Sequence, residues 1–194
     1  MRVTKVQAQA NRAHIVETAS ALFRECGYDG VGIAELMAVA GFTHGGFYKH
    51  FSSKAELLAE AAACGFAQSA AKAEGVDASV VVKHYLSRKH RDARDEGCTM
   101  AALCTDAARQ PEPIKMVFET GLESMLATLA EPYAELEGGQ AVDALRARRI
   151  EVIAQMVGAM VLSRACPDGS PLADEILEVC RAGVLSRLTP VENA

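Results

Sequence analysis

The chain has 194 residues, half of them apolar, with only 5% aromatic side chains and no tryptophan. A chain of this size buries a substantial core as one or two domains, and its wealth of Ala, Leu, Glu and Arg sets helix as the default element. A net charge of −5 excludes a generic nucleic-acid binder with an evenly basic surface.

The signs are unevenly spread. Through Lys54 there are six basic and four acidic side chains, a balance of +2; beyond it there are fourteen and twenty-one, a balance of −7. Three of the five histidines also fall in the first part, which concentrates positive potential there. No apolar run is long enough to cross a bilayer, and residues 1–11 lack the apolar core of a secretory signal, so a cytoplasmic protein with no membrane partner is expected. In a reducing compartment the six cysteines, at positions 26, 64, 98, 104, 166 and 180, read mostly as small buried hydrophobes, since they form no CxxC pair and no zinc spacing.

In chain order, a long helix is predicted over residues 6–26, with Ile15, Ala19, Leu22, Phe23 and Cys26 as its stripe and Gly27 as its stop. Tyr28-Asp29-Gly30 then turns the chain into residues 32–51, GIAELMAVAGFTHGGFYKHF. There Ile33, Leu36, Met37 and Ala40 recur at i, i+3, i+4 and i+7 on one helical face. Gly41 ends that helix in a left-handed conformation, and Thr43 is placed to cap the next. Two short helices joined by so tight a glycine-containing turn are the mark of a helix-turn-helix, whose second helix can lie in the major groove of DNA. That helix opens on His44, Gly45 and Gly46, which weaken it by roughly 1 kcal/mol per glycine. Phe47 and Phe51, four apart, anchor it, and Tyr48, Lys49 and His50 are left outward. The glycines read as clearance for a nucleic-acid surface, with Thr43, Tyr48, Lys49 and His50 as donors to phosphates or base edges. Ser53 and Glu56 stand at capping-box spacing before an apolar-rich helix over 57–71, and Lys54, in its first turn, suits an external phosphate.

Residues 15–58 resemble the DNA-binding domain of the TetR family of bacterial one-component transcriptional regulators. The resemblance is carried by the helix at 15–23, the Gly27-Tyr28 turn, Ile33-Ala34-Glu35-Leu36-Met37 with Ala40-Gly41, Thr43 to Phe51, and Ser53-Lys54-Glu56-Leu57-Leu58. The run GFYKHFSSKAELL is specific to that family, whereas a bare helix-turn-helix pattern is not. Such a resemblance implies an all-α fold of about nine helices, with a three-helix DNA-binding domain at 1–54 joined to a larger helical effector-binding and dimerisation domain at 55–194. It implies DNA contacts from Thr43, His44, Gly45, Gly46, Tyr48, Lys49 and His50, a phosphate contact from Lys54, and a repressor released from a palindromic operator by a small-molecule effector.

Beyond Gly75 the residues are read directly. Helices are predicted over 77–91, 98–109, 114–136, 142–165 and 172–188, with Gly138-Gly139 separating two of them and Ser170-Pro171 opening the last. The charge-dense run 88–96 reads as a solvated helix end and loop. Small residues beside β-branched ones on the last two helices suit a four-helix homodimer contact through Ile153, Val157, Gly158, Val161, Ile176, Cys180 and Val184. Tyr85, Met100, Leu103, Phe118, Leu122 and Met125 suit an adaptable effector pocket with few fixed charges, although Met at helical spacing also serves as core filler. Cys98 or Cys104 as an electrophile or redox sensor is the alternative regulator of the same fold. No phosphate loop follows a strand and no nucleophile elbow appears, so neither an enzyme nor a cofactor or metal site is expected. A purely structural helical dimer leaves Tyr48-Lys49-His50 unexplained.

Overall fold

Every regular element among the described residues is helical, in keeping with the all-α expectation. The structure, a computed structural model, describes residues 4–129 and 142–188. Helix α1, Lys5–Cys26, starts at Thr4, whose hydroxyl accepts the Gln7 N–H at 3.2 Å, and stops at Gly27 with φ 77°. Next come α2, Ile33–Val39, a 3-10 helix, His44–Lys49, and α3, Lys54–Ala73. The later helices are α4, Ala78–Tyr85; α5, Arg88–Asp92; α6, Thr99–Ala107; α7, Glu112–Thr128; α8, Val142–Ala165; and α9, Pro171–Leu188. The helix expected over 77–91 is thus two. Ser87 divides it, because its hydroxyl donates to His84 O at 2.6 Å, closing α4, and accepts the His90 N–H at 3.2 Å, opening α5. The expected continuation of α7 to Leu136 and the stop at Gly138-Gly139 lie outside the described residues.

The chain divides into two compact units. The first is Met1–Ser69 with Arg94–Gly121. Its core gathers Ile15, Phe23, Tyr28, Leu36, Met37, Phe47, Phe51 and Leu57 with Phe66, Leu103, Ile114 and Phe118. A buried polar nest lies in the same unit. Arg24 donates from Nε to Asp95 O at 2.7 Å and from Nη1 to Ser20 Oγ at 2.6 Å, and burial holds its guanidinium below its ordinary pKa. Gly65 makes room for it, since a Cβ there would stand 2.2 Å from Thr99 Oγ1 and 2.6 Å from Arg24 Nη1.

The second unit is Ala70–Ala93 with Leu122–Ala194, in which α8 packs chiefly on α9. Val82, Leu86, Val152, Met160, Leu177 and Val184 fill its core. The run 88–96 is not a solvated loop throughout. Arg91 is 2% exposed, and it donates from Nε to Ser163 O at 3.1 Å and from Nη2 to Cys166 O at 3.0 Å. Arg164 answers from α8, donating to Arg91 O and His90 O, both at 3.0 Å. Arginine stems bury readily when their N–H groups meet carbonyls at a helix end, which is why a charge-dense run is interior here.

Candidate nucleic-acid interface

The turn between α2 and the 3-10 helix follows from one backbone position. Gly41 has φ 80°, a conformation that L side chains rarely adopt. It lets Gly41 N–H reach Ala38 O at 3.0 Å and Phe42 N–H reach Met37 O at 2.7 Å, a Schellman closure that satisfies the end of α2. Thr43 is then extended, with φ −85° and ψ 152°, but its hydroxyl makes no capping bond. The expected side-chain cap is absent because the 3-10 turn closes through the backbone, with Gly46 N–H on Thr43 O at 2.9 Å.

Phe47 and Phe51 spend the apolar side of this segment. Both are buried, and their rings stack with centroids 5.4 Å apart. Thr43, His44, Gly45, Tyr48 and Lys49 are exposed, Tyr48 to 64%, while Gly46 and His50 are half-buried. The His44 and Tyr48 rings meet edge to face at 6.1 Å. A Cβ at Gly45 would meet nothing within 4 Å, and one at Gly46 only ordinary contacts with Thr43 Oγ1 and Met37 Cε. Nothing within the described chain therefore demands either glycine.

Two cations tie the segment and its flanks to the rest of the unit. Lys54 donates from Nζ to Tyr28 O at 2.7 Å and to Val31 O at 2.9 Å, which commits two of its three N–H groups to the turn before α2. Arg12 of α1 donates from Nε to His50 O at 3.2 Å and from Nη2 to Glu56 Oε1 at 2.8 Å and Glu60 Oε1 at 2.7 Å. Its Nη1 also donates to Glu60 Oε2, and its guanidinium lies 4.4 Å from the Phe51 ring centroid. Glu56 accepts from Ser52 as well, from N–H at 2.7 Å and Oγ at 2.6 Å, and these bonds hold its carboxyl below the usual pKa. At the start of α3, Ser53 Oγ accepts the Glu56 N–H at 3.1 Å, so the expected capping box forms on one side, with the return bond landing on Ser52.

Sequence reasoning passed over Arg12. A signal was present: Glu56 and Glu60 are four apart on one helix face with no basic residue at the same spacing, an arrangement that repels itself until a cation arrives from elsewhere.

The remaining expected site residues are distributed as follows. Ile153 and Val184 are buried within the second unit, whereas Val157, Gly158, Val161, Ile176 and Cys180 are half-buried. Outside them, Ile150 and Leu162 on α8 and Leu172 and Val179 on α9 are large exposed apolar side chains. Met100, Leu103 and Phe118 are buried in the first unit; Tyr85, Leu122 and Met125 belong to the second, with Leu122 exposed. Cys98 is buried, and burial pushes the half-buried Cys104 thiol above its ordinary pKa.

Residues 15–61 match the family of bacterial regulatory proteins, tetR family. The HTH-type transcriptional regulator AcrR of Shigella flexneri is 39% identical over 59 residues, 30% of this chain and 27% of that protein. TtgR of Pseudomonas putida, an HTH-type transcriptional regulator, is 41% identical over 58 residues, 30% of this chain and 28% of that one. The chain thus matches little more than a quarter of these relatives' length. Likeness in fold extends further. A TetR transcriptional regulator from Chloroflexus aurantiacus aligns with TM-score 0.68 at 25% identity over 95% of this chain and 96% of its own. The reduced form of E. coli NemR aligns with TM-score 0.72 at 19% identity, covering 91% and 96%.

Proposed function

From a chain that belongs to the TetR family of bacterial regulatory proteins, we propose a sequence-specific, DNA-binding transcriptional regulator that works as a homodimer on an inverted repeat. The observation that carries this reading is the exposed row of the 3-10 helix. His44, Tyr48 and Lys49 are exposed on a segment whose apolar side is taken up by Phe47 and Phe51, and Gly45 faces open space that no part of the described chain uses. A backbone without a side chain approaches a groove closely. Thr43, Lys49 and His50 donate to phosphates or base edges, and Tyr48 adds its hydroxyl and ring face. Residues 1–54 hold this reading function in the proposal, and 55–194 hold pairing and control.

Pairing is supported by Ile150, Leu162, Leu172 and Val179, large apolar side chains left exposed on α8 and α9, and by Gly158, where a Cβ would meet nothing within 4 Å. Apolar surface on two neighbouring helices pairs with a second copy about a two-fold axis, and in this proposal the pair sets the half-site spacing. Control is by a small, mainly apolar effector that favours an arrangement with wrongly spaced recognition helices and so releases a repressor. A coupling of about 1–3 kcal/mol changes operator affinity by roughly 5- to 150-fold. Sensing through Cys98 or Cys104 is the second reading; the burial of Cys98 and the raised pKa of the half-buried Cys104 work against it in the resting protein.

The test is selection of bound fragments from genomic DNA. Enrichment of one inverted repeat, with a salt slope that falls by about 1 in Lys49→Ala, is expected. Recovery of unrelated fragments with no shared repeat removes the reading.

A further inference from the structure

Arg12 is a third-exposed cation in the DNA-reading unit, and the simplest role for it would be one more phosphate contact. Its surroundings argue otherwise. Of five guanidinium N–H groups, four are committed: one to His50 O, one to Glu56 and two to Glu60. One ring face is covered by Phe51 at 4.4 Å. Arg12, Glu56 and Glu60 together carry one negative charge, so the cluster repels a phosphate. Surface ion pairs of this exposure contribute little to stability, so holding the fold together is not what distinguishes the cluster. What distinguishes it is where the bonds end.

His50 closes the 3-10 helix, and Ser52, bonded twice to Glu56, is the second residue beyond it. The cluster therefore joins α1, the trailing end of the recognition segment and the first turns of α3. A six-residue 3-10 helix with two glycines has little stability of its own, so an external clamp must set where Tyr48 and Lys49 point.

Resting on the DNA-reading proposal above, we propose that Arg12 is a positioning residue for operator recognition: it fixes the end of the recognition segment through His50 O and the Glu56–Glu60 pair, and makes no contact with DNA itself.

The test compares Arg12→Gln, the milder Arg12→Lys and Glu60→Gln with the unmodified protein on the selected operator and on random-sequence duplex DNA across a salt series. Arg12→Gln should lower operator affinity about tenfold while leaving random-DNA affinity and the salt slope unchanged. Arg12→Lys, which keeps the charge but loses the fork, should fall between with the same slope. Glu60→Gln removes a negative charge beside DNA, yet it should also weaken operator binding. A slope reduced by about 1 with equal losses on both DNAs would make Arg12 a phosphate contact and overturn the proposal. So would tighter operator binding by Glu60→Gln. Hydrogen exchange without DNA decides the point separately. The amides of Phe47 to Phe51 should exchange faster in Arg12→Gln while those at the centre of α1 do not change, and equal rates in that segment sink the positioning role. If the unmodified protein selects no DNA, the DNA-reading proposal falls, and the exchange comparison still settles what Arg12 does.

Discussion

Replacing Arg91 by methionine tests whether an arginine cluster, rather than apolar packing alone, closes the second unit. Methionine keeps most of the stem and removes the fork that serves Ser163 O and Cys166 O at the end of α8. Ser163 O keeps a second donor, the Cys166 N–H at 3.2 Å, so the loss falls mainly on Cys166 O. Asp92 and Asp168, the acidic partners of Arg91, are about half and nearly nine-tenths exposed, and water takes over their solvation at little cost. Two hydrogen bonds from a charged donor are worth roughly 1.5–3 kcal/mol each, and relief of a buried charge gives part of that back, leaving about 2–4 kcal/mol of destabilisation. Urea unfolding followed by circular dichroism measures it as a lower midpoint at unchanged slope. Arg91→Lys should recover less than half, because one ammonium does not span both carbonyls as the planar fork does. Arg88→Ala, three residues away and bonded to exposed Asp92 and Asp174 and to Asp168 O, should move the midpoint far less than Arg91→Met does. Loss of less than about 1 kcal/mol in Arg91→Met, or full recovery by lysine, refutes the reasoning.

Two glycines should respond in opposite ways to alanine. Gly65→Ala drives a methyl into Thr99 Oγ1 and Arg24 Nη1 and should cost about 1–3 kcal/mol of stability, read from thermal unfolding. Gly45→Ala meets nothing and should be neutral or stabilising by up to about 1 kcal/mol, yet it should weaken operator binding; unchanged affinity there removes the clearance argument. His90 supplies an acid dependence: burial lowers its pKa from 6.5 to about 4, with Tyr85 O on Nδ1 at 2.7 Å and the side chains of Arg164, His84 and Lys72 nearby. Because the folded value is the lower one, the unfolded chain binds the extra proton. Stability is then whole above about pH 6.5 and falls by up to about 3 kcal/mol as the pH drops towards 4. His90→Gln should flatten that slope, and equal acid sensitivity in the variant contradicts the assignment.

Apolar spacing made the first unit legible. Leu36, Met37 and Ala40 are buried together as their i, i+1 and i+4 positions require, and Phe47 and Phe51 stack as a pair four apart must when one face is covered. Glycine punctuation was equally readable, since Gly27 and Gly41 both carry the positive φ that ends a helix. In the second unit the same spacing located α8 and α9 but not their outward side. Ile153 and Val184 share helices with Ile150 and Val179, yet the first pair is core and the second is exposed. Two apolar stripes on one helix look alike when only residue type is read.

Polar partners were the harder part, and distance along the chain is the reason. Periodicity registers whether a side chain meets oil or water within a few turns, whereas the carbonyl that receives Arg12 lies 38 residues away and the one that receives Arg91 lies 72 away. A charged residue therefore reads as solvated by default, and Lys54 reads as a phosphate ligand because the carbonyls of Tyr28 and Val31 are invisible from its own helix. Unbalanced charge on a neighbouring face is what betrays such a contact. Glu56 and Glu60 repel each other at i, i+4 on a segment that offers no cation at that spacing, so the helix carries a local conflict that only a tertiary cation removes. Arg12 removes that conflict from α1, and it stands against the end of the segment proposed to read DNA.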